Sequence, residues 1–270
     1  MNAFRLAAAA LFAAVVAVAG APAALGQASG AAAPAVTESE NEAWTILMRM
    51  AGYLSGLPRF SVNVVSDYDA VQASGDKIEF GERRELVVER PNRLRVDTVR
   101  SDGRRTTGLF TGSEIVLVDH AKKVYASAAQ PDGLDDSLRF FVGEMGMRLP
   151  LALLLTSNLQ QQFGHRVRSI DYVEKTSLFG VPAHHLIARG DTVDFQVWVR
   201  DGEQPLPLRV VLTYKKEPGQ PQFRAQLVDW NLNPALTEAT FRPEIPAGAQ
   251  KIPFVSQLAT VRAGGQGGKQ

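Results

Sequence analysis

The chain of 270 residues contains no cysteine. Disulfide staples, thiol catalysis and thiolate metal sites are therefore excluded, as is a lipid anchor attached through a cysteine behind a signal segment. The chain must hold itself together by burial, and the roughly 240 residues left after the N-terminal leader described below suffice for a core without staples.

Neither sign of charge is in surplus. Lys and Arg number 29 against 28 Asp and Glu, and removing Arg5 with the leader leaves 28 against 28. A nucleic-acid binder normally shows a basic excess or stripe. Arginines do gather at Arg83, Arg84, Arg90, Arg93, Arg95, Arg100, Arg104 and Arg105, but acids interleave with them. That pattern reads as a solvated strand face, and no nucleic-acid partner is expected.

Beyond the first residues, no apolar run reaches the length of about 20 that a membrane helix needs, so no integral membrane segment is expected in the mature chain. Signatures of catalysis are missing too. There is no Gly-x-Ser-x-Gly elbow, phosphate loop or GxGxxG turn, and no histidine belongs to an HExxH or HxH pattern. His184 and His185 are adjacent on an expected strand, so they point to opposite faces and cannot share a metal. His120 and His165 fall in a turn and a loop, where they read as ordinary histidines. Asp135-Asp136 resembles a carboxylate pair but is more simply a pair of first-turn acids at a helix N-terminus. No metal, cofactor or enzymatic activity is expected.

What is present begins with a leader. Arg5 gives a basic start, Leu6 to Ala21 is almost purely apolar, and Ala24-Leu25-Gly26 fits the small-x-small rule of a signal peptidase site. Residues 1–26 are read as a cleaved signal peptide and 27–36 as a disordered Ala/Gly/Pro spacer. Thr37 then stands three residues before Glu40, a capping box. Trp44, Leu47, Ala51 and Leu54 recur at helical spacing until Gly56 and Pro58, which predicts a helix over 38–55.

From Phe60 the period becomes two. Alternation predicts strands over 60–64, 78–88, 94–96, 106–111, 114–118 and 123–128. A helical segment follows, with Leu134, Leu138, Phe141 and Met145 on one face and a leucine run over 149–155. Strands resume at about 167–175, 183–188, 193–200, 206–215 and 222–231, with turns at Asp201-Gly202 and Pro218-Gly219. Residues 255–270 are Gly/Gln-rich and read as a disordered tail. The fold class is mostly β (α+β). A single curved antiparallel sheet forms an unclosed half-barrel over residues 37–254, with an N-terminal helix and a helical lid on its concave face. The expected inward set is Phe60, Val62, Phe80, Leu86, Val88, Leu94, Val96, Phe195 and Val197, joined by lid residues Phe141, Met145, Leu151 and Leu154. These are the candidate walls of a hydrophobic cavity.

Several short motifs resemble the LolA/LolB-like superfamily of periplasmic lipoprotein carriers. Gly81, Leu86 and Arg90-Pro91-Asn92-Arg93-Leu94-Arg95 resemble its "G…L…RP…(L/F)R" strand pair. In the same order come Leu54-Ser55-Gly56-Leu57-Pro58-Arg59-Phe60, Thr111-Gly112-Ser113-Glu114-Ile115-Val116-Leu117, Pro150-Leu151-Ala152-Leu153-Leu154 and Phe241-Arg242-Pro243-Glu244-Ile245-Pro246-Ala247-Gly248-Ala249. Gly180-Val181-Pro182-Ala183-His184-His185-Leu186, Trp198-Val199-Arg200-Asp201-Gly202 and Asp229-Trp230-Asn231-Leu232 resemble that superfamily's uncharacterised predicted periplasmic proteins. The chain departs from the carriers at Thr111-Gly112 and Val118-Asp119-His120, and in a longer segment over 176–200.

The resemblance implies a periplasmic, non-enzymatic binder or carrier of a hydrophobic ligand, either a lipid or the acyl chain of a lipoprotein. It also implies that Arg90, the arginine of the "RP" pair, holds the lid. The alternative it offers is a sensor of the RseB type, which would bind lipid or a partner protein at the inner or outer membrane.

Overall fold

The computed structural model describes residues 37–145 and 149–254. The expected leader, spacer and tail, and residues 146–148 within the expected helical segment, lie outside them.

Helix α1 (Glu38–Gly56) starts at Thr37, whose hydroxyl accepts from the Glu40 amide at 3.1 Å. Its buried residues are Ala43, Leu47, Met50, Ala51 and Leu54, a stripe at helical spacing that lies on the sheet. Fully burying Leu47, Met50 and Leu54 contributes about 1.5–3 kcal/mol each.

Twelve strands make one sheet: β1 (Arg59–Val71), β2 (Lys77–Glu89), β3 (Arg93–Arg100), β4 (Arg105–Thr111), β5 (Glu114–Asp119), β6 (Val124–Ala129), β7 (Val167–Leu178), β8 (Val181–Gly190), β9 (Val193–Arg200), β10 (Pro207–Tyr214), β11 (Gln222–Asn231) and β12 (Gln250–Lys251). Their order is β12-β6-β5-β4-β3-β2-β1-β11-β10-β9-β8-β7. Two meanders, β1 to β6 and β7 to β11, are thus joined by pairing of β1 with β11. All pairs are antiparallel except β12 on β6, and β12 and β7 are the edges, so the curved sheet does not close. Register shifts in the β1–β11, β7–β8 and β9–β10 pairs insert bulges, which bend strands and raise their twist.

The alternation that marked the strands fixes which side chains face α1. Phe60, Val62 and Val64 on β1, Leu86 and Val88 on β2, Leu94 and Val96 on β3, and Ala225 and Leu227 on β11 all enter the main core. On the convex face Leu109, Val116 and Val118 form a small second cluster with Tyr125.

Between the meanders lies the helical segment: α2 (Leu134–Arg139), a π-helical turn (Phe140–Glu144), a 3-10 turn (Ala152–Leu155) and α3 (Leu159–Arg166). Helix α3 was not legible as a helix, because its sequence LQQQFGHR offers only Leu159 and Phe163 to the core. Among the described residues no helix is long and apolar enough to cross a membrane.

Candidate functional site

The helical segment is tied down at both ends. Asp135, in the first turn of α2, accepts from the Ser157 amide at 2.9 Å and its hydroxyl at 2.6 Å, which closes the 3-10 turn back onto α2. Gln160 on α3 donates to the Met48 carbonyl at 3.0 Å. Helices α1 and α3 meet closely at Gly52, where an added Cβ would stand 2.9 Å from the Gln160 amide nitrogen and push that side chain off its bond. Asp136 pairs with Arg139 at 2.7 Å. The two acids therefore fasten and cap the segment instead of facing each other.

Beneath this segment is a cavity of about 370 Å³. Its roof is Leu151, Leu153 and Leu154, its sides are Met50 of α1 and Phe163 of α3, and its floor is Phe195 and Val197 of β9 with Val210 and Leu212 of β10. Phe163 and Phe195 stack at 5.6 Å. Polar groups, from His165, Arg166, Asp191 and Thr192, come from the two turns at one end. A void of about 20 Å³ lies on the other side of Leu151 and Leu154, walled by Phe60, Val62, Val64, Leu86, Leu227 and Trp230 among others. Leu151 and Leu154 thus form the partition between the two spaces. No fixed charge lies inside the apolar part, so what it can do chemically is desolvate methylene groups.

The sequence profile of a family described as "Predicted periplasmic protein (DUF2092)" matches residues 43–255. The chain belongs to this family. Its periplasmic location follows from that membership. No curated protein matches. Among solved structures, this DUF2092 member is similar to an uncharacterized conserved protein of Thermus thermophilus (13% identity, covering 78% of this chain and 99% of that one, TM-score 0.47). It is similar to the lipoprotein LppX of Mycobacterium tuberculosis (12%, 73% and 99%, TM-score 0.46) and to a LolA superfamily protein of Nitrosomonas europaea (15%, 75% and 98%, TM-score 0.39).

The sequence-derived wall residues of this DUF2092 protein divide into groups. Leu151, Leu154, Phe195 and Val197 line the larger cavity, and Phe60, Val62 and Leu86 line the small void. Val88, Leu94, Val96, Phe141 and Met145 are buried in close packing and line neither. Phe80 has the concave-face parity but lies beyond the cover: it is 40% exposed and stacks on Tyr68 at 5.9 Å. Met50, Leu153, Phe163, Val210 and Leu212 complete the cavity and were not singled out. The period-two alternation of β10 offered a signal for Val210 and Leu212; Phe163 had none, because its helix was missed.

Arg90 lies where α1, α2 and β2 converge. Its Nε donates to the Leu57 carbonyl at 3.1 Å, and its Nη2 is buried with no acceptor among the described residues. Burial pushes this guanidinium's pKa down, and the nearby Asp135 carboxylate opposes that shift. The arginine touches the end of α1 and shares a field with the acid that fastens the lid.

The histidines occupy separate settings. His184 meets the Tyr172 hydroxyl at 3.1 Å and Asp201 at 3.1 Å, while His185 stacks on Trp198 at 3.9 Å. His120 meets Thr107, whose hydroxyl donates to Asp97 at 2.6 Å. With its proton given to a carboxylate, that hydroxyl accepts from the imidazole; this is the reverse of an activated nucleophile. Among the described residues no three His, Asp or Glu side chains group as metal ligands.

One part of the sequence reading needs correction. The arginine cluster is a solvated strand face at Arg83, Arg104 and Arg105, which are exposed, but Arg84 is 8% exposed on the concave side.

Proposed function

We propose that this protein binds a hydrophobic ligand, a lipid or the acyl chain of a lipoprotein, without transforming it chemically. The observation that carries the reading is the cavity under the lid: about 370 Å³, walled by leucine, valine, methionine and phenylalanine, with its polar groups confined to one end. An acyl chain placed there gains about 0.8 kcal/mol for each methylene removed from water. A mostly apolar concave site with a few polar groups at one end is the usual form of a small-molecule pocket. Arg90 fits a role in holding the lid indirectly, through its contact with the end of α1 and its attraction to Asp135.

The test is solvent extraction of the protein purified from periplasm, followed by lipid mass spectrometry. Acyl species recovered in near-stoichiometric amount support the binder. A protein partner that co-purifies with no lipid would replace it with the sensor reading. Neither lipid in the extract nor uptake of an added fluorescent fatty alcohol would end the proposal.

A further inference from the structure

The concave face changes character toward one end. On β1 the inward residues run Phe60, Val62, Val64, then Ser66 and Tyr68; on β2 they run Val88, Leu86, then Arg84 and Glu82; on β3 they run Leu94, Val96, then Thr98 and Arg100. Register places Arg84 opposite Val64 and Thr98, and Glu82 opposite Ser66 and Arg100. Tyr214 continues the Val210 and Leu212 face of β10, and Phe223 that of β11. Tyr68, Glu82, Arg84, Arg100, Tyr214 and Phe223 form the floor of a second cavity, of about 610 Å³, roofed by Val142, Leu149 and Pro150.

Two arginines stand at the polar end of this sheet face, beside Glu82 and Tyr68. Arg84 is buried and lies over the Phe223 ring at 5.9 Å. One of its donors goes to Glu82. Arg100 donates to the Tyr68 hydroxyl and makes no ion pair among the described residues. Because that hydroxyl accepts from Arg100, its own proton is free to be given to something else. The remaining acids of the cavity are placed differently: Asp69 is held by Arg224 at 2.9 Å and by the Gln222 amide at 2.9 Å, and Glu217 is exposed at the rim. Arg84 and Arg100 both line the cavity, so their guanidinium donors can reach an acceptor that enters it.

This donor set adjoins the apolar cavity. Leu149 and Pro150 roof the polar space and Leu151, Leu153 and Leu154 roof the apolar one; Tyr214 floors the first and Leu212, two residues away on the same face, the second. We infer that the ligand is an anionic amphiphile, whose carboxylate or phosphate oxygens are held by Arg84, Arg100 and the Tyr68 hydroxyl while its chain lies under the lid. The inference rests on the proposed binding function and names the ligand class. Guanidinium groups suit it because their planar N–H fork matches paired oxyanion oxygens.

The experiment compares a fluorescent polyene fatty acid with the alcohol of the same chain, at a pH where the acid is ionised, on wild type and Arg100→Gln. Wild type is expected to bind the acid at least about tenfold more tightly, the scale of a charge-assisted hydrogen bond. Arg100→Gln should erase that preference by weakening the acid alone. Tyr68→Phe, which keeps the ring on Phe80, should reduce acid affinity severalfold and serves if the arginine variant does not fold. Equal binding of acid and alcohol by wild type would overturn this inference and leave the hydrophobic binder standing; binding of neither would overturn the binder itself. Inorganic phosphate that displaces the acid at its own low concentrations would assign the donors to a free oxyanion, and overturn the amphiphile.

Discussion

Leu212→Glu tests the cavity with a calculable penalty. Leu212 is half-buried on β10 and paired in register with Phe195, so its side chain meets any chain lying under the lid. In the empty protein the introduced carboxyl keeps access to water, and the loss of a half-buried leucine costs about 1–2 kcal/mol. For a domain of this size that lowers Tm by less than about 8 °C. With ligand bound, the carboxyl must be desolvated, and its cheapest escape is to take up a proton. At pH 7, about 2.7 pH units above an ordinary glutamate pKa, that protonation costs about 3.7 kcal/mol, or roughly 500-fold in affinity. At pH 5 the same step costs about 1 kcal/mol, roughly fivefold. The sign follows from linkage: the bound state raises the carboxyl's pKa, so affinity is lost as pH rises above the free value and regained as it falls. A neutral fluorescent fatty alcohol, titrated at both pH values alongside a thermal melt, reads each quantity. Unchanged affinity at pH 7, or a loss that ignores pH, would refute the placement of the ligand; a variant that unfolds would show Leu212 to be sealed core.

Other perturbations address the rest of the molecule. Asp135→Ala removes both bonds to Ser157 and should lower stability by about 1–2 kcal/mol while speeding probe release in stopped flow; unchanged release would detach the lid from the site. Burial works to raise the Asp69 pKa, but the bonds from Arg224 and Gln222 outweigh it, so the folded value is lowered; this stabilisation is present above the ordinary carboxylate range and lost as pH falls through the folded pKa. Asp69→Asn should therefore narrow the stability gap from wild type as the pH of a urea titration falls below about 4. His184→Ala with His185→Ala should lower Tm, through the contacts with Asp201, Tyr172 and Trp198, and leave metal content unchanged; zinc lost with the pair would contradict it. The N-terminus of protein recovered from periplasm should be Gln27 or close to it; an intact Met1 would remove the signal peptide.

Much of the architecture was legible because the sheet is half-covered. One buried face enforces alternation, and the expected strands at 193–200 and 222–231 match β9 and β11 end for end. Thr37 and the stripe from Leu47 to Leu54 marked α1 for the same kind of reason. Alternation reports a face, however, and says nothing of how far along the face the cover extends. Phe80 and Val88 share parity on β2, yet one is 40% exposed and the other has no exposure, because α1 and the lid cover only one end. The same limit concealed the polar end. Arg84 and Arg100 read as two more arginines in a charged run, since interleaved acids such as Glu85 and Asp97 gave the run a solvated character.

The size of the apolar cavity under the lid bears on why it exists. Apolar wall left in contact with water forfeits roughly 25 cal/mol for each Å² that close packing would have buried, so an open apolar cavity of about 370 Å³ is a cost to folding. Whole domains are stable by only about 5–15 kcal/mol. The wall residues could close much of the gap by small shifts if packing alone were being served, since Leu151, Leu153, Phe195 and Leu212 are only half-buried and have room to move. What opposes collapse is the fastening that follows the roof: Asp135 on Ser157 and Gln160 on Met48 tie the chain just after the segment from 149 to 155 and limit how far it can settle onto β9 and β10. Polar ties that keep leucines apart are costly to a protein whose only task is to fold. They are consistent with a protein that must keep a space open for a chain of methylenes.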